Sequence, residues 1–297
     1  MCKLIDTNSP SSSIAVIIAT RGRPSILAET LASLDRQTLL PGQVILSASC
    51  AEDLPAAVPP SLPIEFLIGP AGSSVQRNAA RSLLSQDAAI VFFFDDDIEL
   101  AADYLEQVAQ AFRSHPEIGL LGGELLANGR VTRSEAKSLL AGAPVRELPA
   151  LLPCGSLYGC NMCVRADIFR AVAFDENLRL YGWLEDLDWS VRAGRYGAIM
   201  SCPAARAVHL AANSGRVSGY RFGYAQVMNP YYLCKKGTVL NFGEVLGRHW
   251  FRSLLANIGG FASLDRHEDR WGRLCGNLRA YWDICNGRSD PKRIELI

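Results

Sequence analysis

Long apolar runs are missing from the 297 residues: none approaches the roughly 18 needed for a membrane-spanning helix. Met1 to Ser13 is polar and lacks the basic-then-apolar order of a secretory signal. A cytoplasmic protein, at most peripheral on the inner face of the plasma membrane, is therefore expected. Nine cysteines are an odd number scattered through a long chain, which argues against a disulfide framework and fits a reducing compartment. Cys160-x-x-Cys163 lacks a second close pair, with Cys154 the only nearby candidate, so both read as small core residues rather than a zinc or redox motif. There is no internal repeat. Net charge is absent too, since 30 Lys/Arg balance 30 Asp/Glu.

That balance is uneven along the chain. From Arg216 onward 13 Lys/Arg stand against 7 Asp/Glu, a net of +6, while residues 1–215 carry 17 against 23, a net of −6. The acidic main part disfavours a nucleic-acid partner. The basic tail suits an anionic one, such as a membrane surface. With 49% hydrophobic and 20% charged residues, the chain has the composition of a soluble globular protein able to bury a large core.

What the sequence does have is Ile90-Val91-Phe92-Phe93-Phe94-Asp95-Asp96-Asp97. Five β-branched or aromatic residues run into three carboxylates. The apolar run reads as a strand buried on both faces, with helices on each side of a parallel sheet. Adjacent carboxylates repel, and each is costly to desolvate. A divalent cation at the strand's carboxyl end answers both, and ligands of open α/β sheets bind there. Asp95 to Asp97 are the candidate metal site.

Ser13 to Thr20 reads as another buried strand, ending at Arg21-Gly22-Arg23-Pro24. Pro24 and Ser25 open a helix with Leu27, Leu31 and Leu34 on one face. Leu39-Leu40-Pro41-Gly42 breaks it, and Gln43 to Ser49 is the next strand, predicting a parallel sheet with a right-handed crossover. After a Pro-rich loop, Ile64 to Ile68 makes a third strand. Its Gly-rich exit leads into a helix from about Ser74 to Leu84 and places Arg77 at the sheet's carboxyl edge, facing a diphosphate or a site carboxylate. Ala101, Tyr104, Leu105, Val108 and Phe112 mark a further helix, and Ile118 to Leu121 a strand. Gly129 to Pro153 has weak periodicity and yields no readable element.

A second informative stretch starts at Gly155 and includes Tyr158-Gly159-Cys160-Asn161, then a short helix from Ala166 to Val172 and Phe174-Asp175-Glu176. Trp183-Leu184-Glu185-Asp186-Leu187-Asp188-Trp189 follows. Leu184, Leu187 and Val191 fit a helix face, so the acids fall in its first turns, where they complement the helix dipole. Three acids flanked by two tryptophans and a glycine also read as a binding pocket. Ala204 to Leu210 is a strand with His209 at its end. Beyond Ser214, three stripes at helical spacing begin at Tyr220, Leu246 and Trp271. They are packing faces first, and Arg248 and Arg252 beside exposed aromatics equally suit an anionic bilayer.

Taken together, the pieces resemble the inverting nucleotide-sugar glycosyltransferases of family 2. The resemblance covers about residues 13 to 213. It is carried by Ile-Ile-Ala-Thr-Arg-Gly-Arg-Pro at the first strand, Gln-Arg-Asn-Ala-Ala, the acid triplet, Phe174-Asp175-Glu176, and Glu185-Asp186-Leu187-Asp188-Trp189. It implies the GT-A fold, a Rossmann-like α/β domain with a mixed, mostly parallel sheet flanked by helices, here with a helical C-terminal extension. The expected layout is a flexible 1–12, a catalytic domain 13–215 (nucleotide-sugar half about 13–125, acceptor half about 150–215), and a basic helical region 216–297.

The resemblance also implies roles. Thr20, Arg21 and Arg23 line the nucleotide pocket, with Arg77 and Asp96 beside them. Asp95 and Asp97 look like the family's Asp-x-Asp, Asp97 the main metal ligand and Asp95 nearer the nucleotide; His209 matches the additional metal ligand of many members. Asp186 matches the catalytic base. Trp183 and Glu185 shape the acceptor site, where Tyr158 and Asn161 are further candidates. A hard cation, manganese or magnesium, prefers carboxylate and phosphate oxygens and keeps several waters, so two protein acids suffice. The diphosphate leaves without a proton, so one base is enough and configuration inverts. The donor expected is a UDP-sugar, with dTDP or GDP as alternatives, and the acceptor a carbohydrate or lipid-linked hydroxyl of surface polysaccharide or glycolipid synthesis. The family's acid directly after the second strand is missing; Glu52, Asp53 or a serine stands in its place, which leaves the base open.

Two other readings compete. A sugar-phosphate nucleotidyltransferase would use the same acidic edge, but the Glu185-Asp186 helix argues against it. A non-catalytic carbohydrate- or calcium-binding module fails at its loop: Leu100 takes the glycine position of a helix–loop–helix calcium site, and a strand precedes it.

Overall fold

The computed structural model describes residues 13–144, 151–212, 217–262 and 268–297. The expected flexible N-terminus and the boundary expected at 215/216 fall outside them. The described residues form two compact units. One comprises 13–71, 76–144, 151–173 and 192–212; the other comprises 72–75, 174–191, 217–262 and 268–297.

The first unit has the expected α/β architecture, a mixed, mostly parallel sheet flanked by helices. In chain order its strands are β1 (Ile14–Thr20), β2 (Gln43–Ala48), β3 (Ile64–Ile68), β4 (Ile90–Asp95), β5 (Ile98–Leu100), β6 (Ile118–Asn128), β7 (Leu152–Pro153), β8 (Asn161–Arg165) and β9 (Ala198–His209). In space they run β3-β2-β1-β4-β8-β6-β9-β5, with β7 beside β9. β3, β2, β1 and β4 are parallel, and β8 enters antiparallel to both β4 and β6.

β1 and β4 are the two continuous apolar runs, and the sheet buries both their faces. Phe92 and Phe94 alternate with Phe93, as strand pleating requires. The first two pack edge-on against Tyr104 and the last against Phe169, with centroids 6.4, 5.5 and 4.9 Å apart. Tyr104 opens α3 (Tyr104–Ser114) and Phe169 lies in α5 (Ala166–Ala171), after α1 (Pro24–Asp35), α2 (Ser73–Ala80) and α4 (Arg133–Gly142). Leu27, Leu31 and Leu34 of α1 join Ile14, Val16, Ile18, Phe92 and Phe94 in one buried cluster. Burying each such side chain stabilises the fold by about 1.5–3 kcal/mol, so this layer is its main anchor.

Several elements depart from the sequence pattern. β8 was not expected at all. β6 continues to Asn128 and β9 begins at Ala198, beyond the short apolar runs that mark them. α4 lies inside the stretch without readable periodicity. α2 ends at Ala80 rather than Leu84, because the chain tightens into turns, with Leu83 N–H donating to Ala80 O.

In the second unit α6 (Glu185–Ala193) starts, and the three C-terminal stripes are helical as their spacing predicts. They form α7 (Gly219–Lys236), α8 (Phe242–Glu244) continuing through a π-helical turn into α9 (Arg252–Ala262), and α10 (Arg270–Cys285). Tyr224, Val227 and Met228 of α7 pack with Ala280 of α10, and Leu180 and Trp183 lie against that cluster.

Candidate active site

Strand register brings the first set of site residues together. β4 and β8 are antiparallel with Phe94 opposite Asn161, so one step further Asp95 faces Cys160. β9 pairs Ile98 of β5 on one side and Asn128 of β6 on the other, both through His209. The end of β4, the start of β8 and the ends of β6 and β9 therefore meet at one edge of the sheet, its carboxyl edge along β1 and β4.

Each acid of the triplet is held differently. Asp96 is fully buried; it accepts from Thr20 Oγ1 at 2.7 Å and pairs with Arg23 at 3.0 Å. Burial pushes it up to about 7, against Arg23 and Thr20, which favour the carboxylate. Asp97 is also buried. Its Oδ2 accepts from Arg23 Nη1 at 3.0 Å and from Ala212 N–H at 2.8 Å, while Oδ1 faces His209 Nε2 at 3.1 Å. Burial would raise it, but His209, Arg23 and the Ala212 N–H together hold it down to about 2. Asp95 is the most open of the three. It pairs with Arg77 at 3.2 Å and lies 3.6 Å from His209 Nε2. Of the two partners foreseen for Arg77, a diphosphate or a carboxylate, the described contact is with a carboxylate.

His209 is oriented from behind, its Nδ1 lying 2.7 Å from Asn128 Oδ1. An amide oxygen only accepts, so Nδ1 carries the proton and Nε2 faces the acids. Burial opposes a charged ring, yet Asp97, Cys160 and Asp95 outweigh it and raise His209 to about 11. The donor atoms of Asp95, Cys160 and His209 all lie within 4.8 Å of one another. That spacing suits a cation about 2.0–2.3 Å from each, so this donor set fits a metal. Asp97 faces the same His209 Nε2 through Oδ1, while its Oδ2 is taken by Arg23 and Ala212. Sequence reasoning missed Cys160 and Asn128 as site residues; only the register of β8 and β6 brings them to this edge.

The remaining sequence candidates in this unit divide. Arg21 and Tyr158 are exposed. Asn161 is buried with both ends of its amide in use: Nδ2 donates to Gly123 O at 2.7 Å, and Oδ1 accepts from Tyr104 Oη. Asp53 is buried too. It accepts the N–H groups of Gly22, Ser49 and Cys50 at 2.6, 2.9 and 3.1 Å and the Ser49 hydroxyl, tying the ends of β1 and β2 together. Both its oxygens are committed to the backbone.

In the second unit, the approach to α6 is conformationally demanding. Leu180 and Leu184 have φ of 58° and 73°, and Gly182 has 64°. Left-handed leucines are uncommon and cost free energy, and such outliers concentrate at functional sites. At Gly182 a Cβ would sit 2.9 Å from Ser73 Oγ and 3.2 Å from Glu185 Oε2, so a larger residue would have to displace those side chains as well as adopt the left-handed turn. Glu185 is buried and Asp186 half-buried, its Oδ1 accepting from Leu187 N–H at 2.8 Å. Trp183 is half-buried, edge-on to Phe222, and its carbonyl accepts from Asn229 Nδ2 at 2.9 Å. The last two residues of the motif serve packing. Asp188 is fully buried and pairs with Lys236 at 2.9 Å and Thr238, and Trp189 stacks on Phe174 at 4.7 Å.

Comparisons with known proteins accord with this fold. Crystal structures of S. aureus TarS 1–349 are similar: the complex with UDP-GlcNAc is 16% identical with a TM-score of 0.54, covering 96% of this chain and 83% of that one. The complex with UDP is 16% identical with a TM-score of 0.52, covering 84% and 74%. Against the longer TarS crystal structure the TM-score is 0.50, and the chain spans only 43% of that protein's length. No protein of curated function matches the chain. The family description "Glycosyl transferase family 2" matches residues 15–170, from β1 through the acid triplet to α5, ending before Trp183, Asp186 and His209. With more than half its length inside that match and a GT-A architecture around it, the chain belongs to glycosyl transferase family 2 and is a glycosyltransferase.

Proposed function

We propose that the chain is a metal-dependent, inverting transferase that moves a sugar from a UDP-sugar to a carbohydrate or lipid-linked hydroxyl in surface polysaccharide or glycolipid synthesis. The observation that carries this reading is the cluster at the carboxyl edge, where Asp95 and His209 stand ready for a cation and Arg23 and Thr20 fix the acids behind them. The UDP and UDP-GlcNAc held by the TarS crystals favour uridine over thymidine or guanosine. Asp53 is used up by the backbone, which leaves Glu52, exposed beside it, as the acid within reach of a base.

The residues divide the work. A manganese or magnesium ion, when bound, offsets charge on the diphosphate as it leaves. Asp95 and His209, with Asp97 Oδ1 at the same ring nitrogen, would hold that ion; Arg23 and Thr20 keep Asp96 and Asp97 in place, and Arg21 is the exposed cation available to a phosphate. Asp186 accepts the proton of the acceptor hydroxyl on a carboxylate oxygen as that oxygen attacks, and Glu185 and Trp183 shape the acceptor's place. Asn161, its amide spent on Gly123 and Tyr104, takes no part; Tyr158 stays available. Arg248 and Arg252 lie exposed on the helical run that also exposes Leu246, Phe251, Leu255 and Ile258. This run is the proposed contact with an anionic membrane surface. Among the described residues no helix is long and apolar enough to cross a membrane.

The test is Asp186→Asn assayed with UDP-sugars. We expect kcat to fall by about 10²–10⁴-fold with donor binding by calorimetry intact. Unchanged turnover would overturn the assignment of the base.

A further inference from the structure

Cys160 sits where a small core residue has no reason to be. It is buried, yet its Sγ lies within 4.8 Å of ligand atoms of Asp95 and His209, between a carboxylate and an imidazole. Cys163, three residues on, is the contrast. An odd spacing along a strand turns it to the opposite face, where it meets Tyr104 Oη at 3.8 Å inside the core. The Cys-x-x-Cys spacing is therefore incidental, and the two thiols serve different neighbours.

The surroundings of Cys160 are built, not accidental. Arg77 is 2% exposed, and one guanidinium nitrogen reaches both Asp95 Oδ1 at 3.2 Å and Gly159 O at 3.1 Å. It thereby fixes the carboxylate and the peptide leading into Cys160 relative to each other. A Cβ at Gly159 would sit 3.0 Å from that guanidinium, so any other residue before Cys160 would press Arg77 out of its present place. On the other side Asn128 aims His209. Supporting contacts of this kind orient metal ligands and raise affinity.

We propose that Cys160 is itself a metal ligand through Sγ, completing an O/N/S set with Asp95 and His209 that favours transition ions, increasingly from manganese to zinc, over magnesium. Thiolate and imidazole bind borderline ions far better than magnesium, which demands oxygen ligands. Ligation forms an S–metal bond and displaces the thiol proton to solvent; nothing is oxidised. The inference rests on the metal-dependent reading above and sharpens which cation that site takes.

The experiment is titration of the metal-free full chain with cobalt(II), read by absorption and by calorimetry. We expect a thiolate-to-cobalt charge-transfer band in the near ultraviolet, lost in Cys160→Ser and kept in Cys154→Ser. Cobalt and zinc affinity should fall at least about tenfold in Cys160→Ser, while magnesium affinity holds. Cobalt binding to the wild-type chain without that band overturns the proposal even if no variant folds, as does a band that survives Cys160→Ser. If cobalt binds without the band and cations still support sugar transfer, only the role of Cys160 fails. If no cation binds and transfer survives chelation, the metal-dependent reading falls as well.

Discussion

The chain carries two clusters of three acids, and they are stabilised by opposite means. Asp95 to Asp97 sit at a strand end in the first unit, and cations from three distant segments meet them: Arg23 after β1, Arg77 on α2 and His209 at the end of β9. Glu185, Asp186 and Asp188 open a helix in the second unit, where the helix N-terminus itself favours negative charge. There Asp188 is given over to the core through Lys236. The difference teaches that a cluster of acids marks a site without saying which acid serves it. In the first cluster the open member is Asp95; in the second it is Asp186, with Asp188 acting as a brace.

Three measurements would break or sharpen this contrast. Lys236→Ala strips a cation from the fully buried Asp188, and from Asp175 at 2.7 Å. Removing one partner of a buried pair costs about 3–5 kcal/mol, so this variant should show the largest loss in denaturant unfolding. A loss under about 1 kcal/mol would mean that Asp188 is no brace. In the metal-free protein, Asp97 is held near 2, well below an unfolded aspartate. Its contribution is then present above the unfolded value near 3.9 and is lost as pH falls toward 2. Asp97→Asn should flatten the acid limb of stability against pH; an unchanged limb would contradict the assignment. The smallest effect is expected for Asp186→Asn, which keeps the Leu187 N–H acceptor. Its unfolding free energy should move by less than about 0.5 kcal/mol, and a larger loss would make Asp186 structural as well.

The sequence shows β1, β4 and α1 directly, because each is a long apolar pattern with its own start or stop. It hides elements whose identity depends on partners. The early part of β9 contains Pro203, which normally argues against an interior strand. Here the proline falls where the register against β6 jumps from Cys202 opposite Gly123 to Arg206 opposite Glu124, an irregularity that absorbs the missing donor. α4 carries a reciprocal capping box between Thr132 and Glu135, a local signal readable in the sequence but masked by the weak periodicity after it. For the site, the acid triplet and the Glu185-Asp186 pair are legible as chemistry. Cys160 is not, because its meaning comes from standing opposite Asp95 across a strand pair that no local pattern announces.

β5 is three residues long and pairs with β9 alone, Ile98 lying opposite His209 while Leu210 N–H donates to Asp97 O. The strand is buried and also held from α1, Thr30 Oγ1 donating to Ile98 O at 3.1 Å and Ser33 Oγ accepting from Leu100 N–H at 3.0 Å. Whatever fills the edge must hold His209 and Asp97 still, and in doing so it latches this rung. Amide hydrogens along β5 and the end of β9 thus keep two clocks, a faster one with the edge empty and a slower one with it filled. The rung beside His209 is the one that records occupancy.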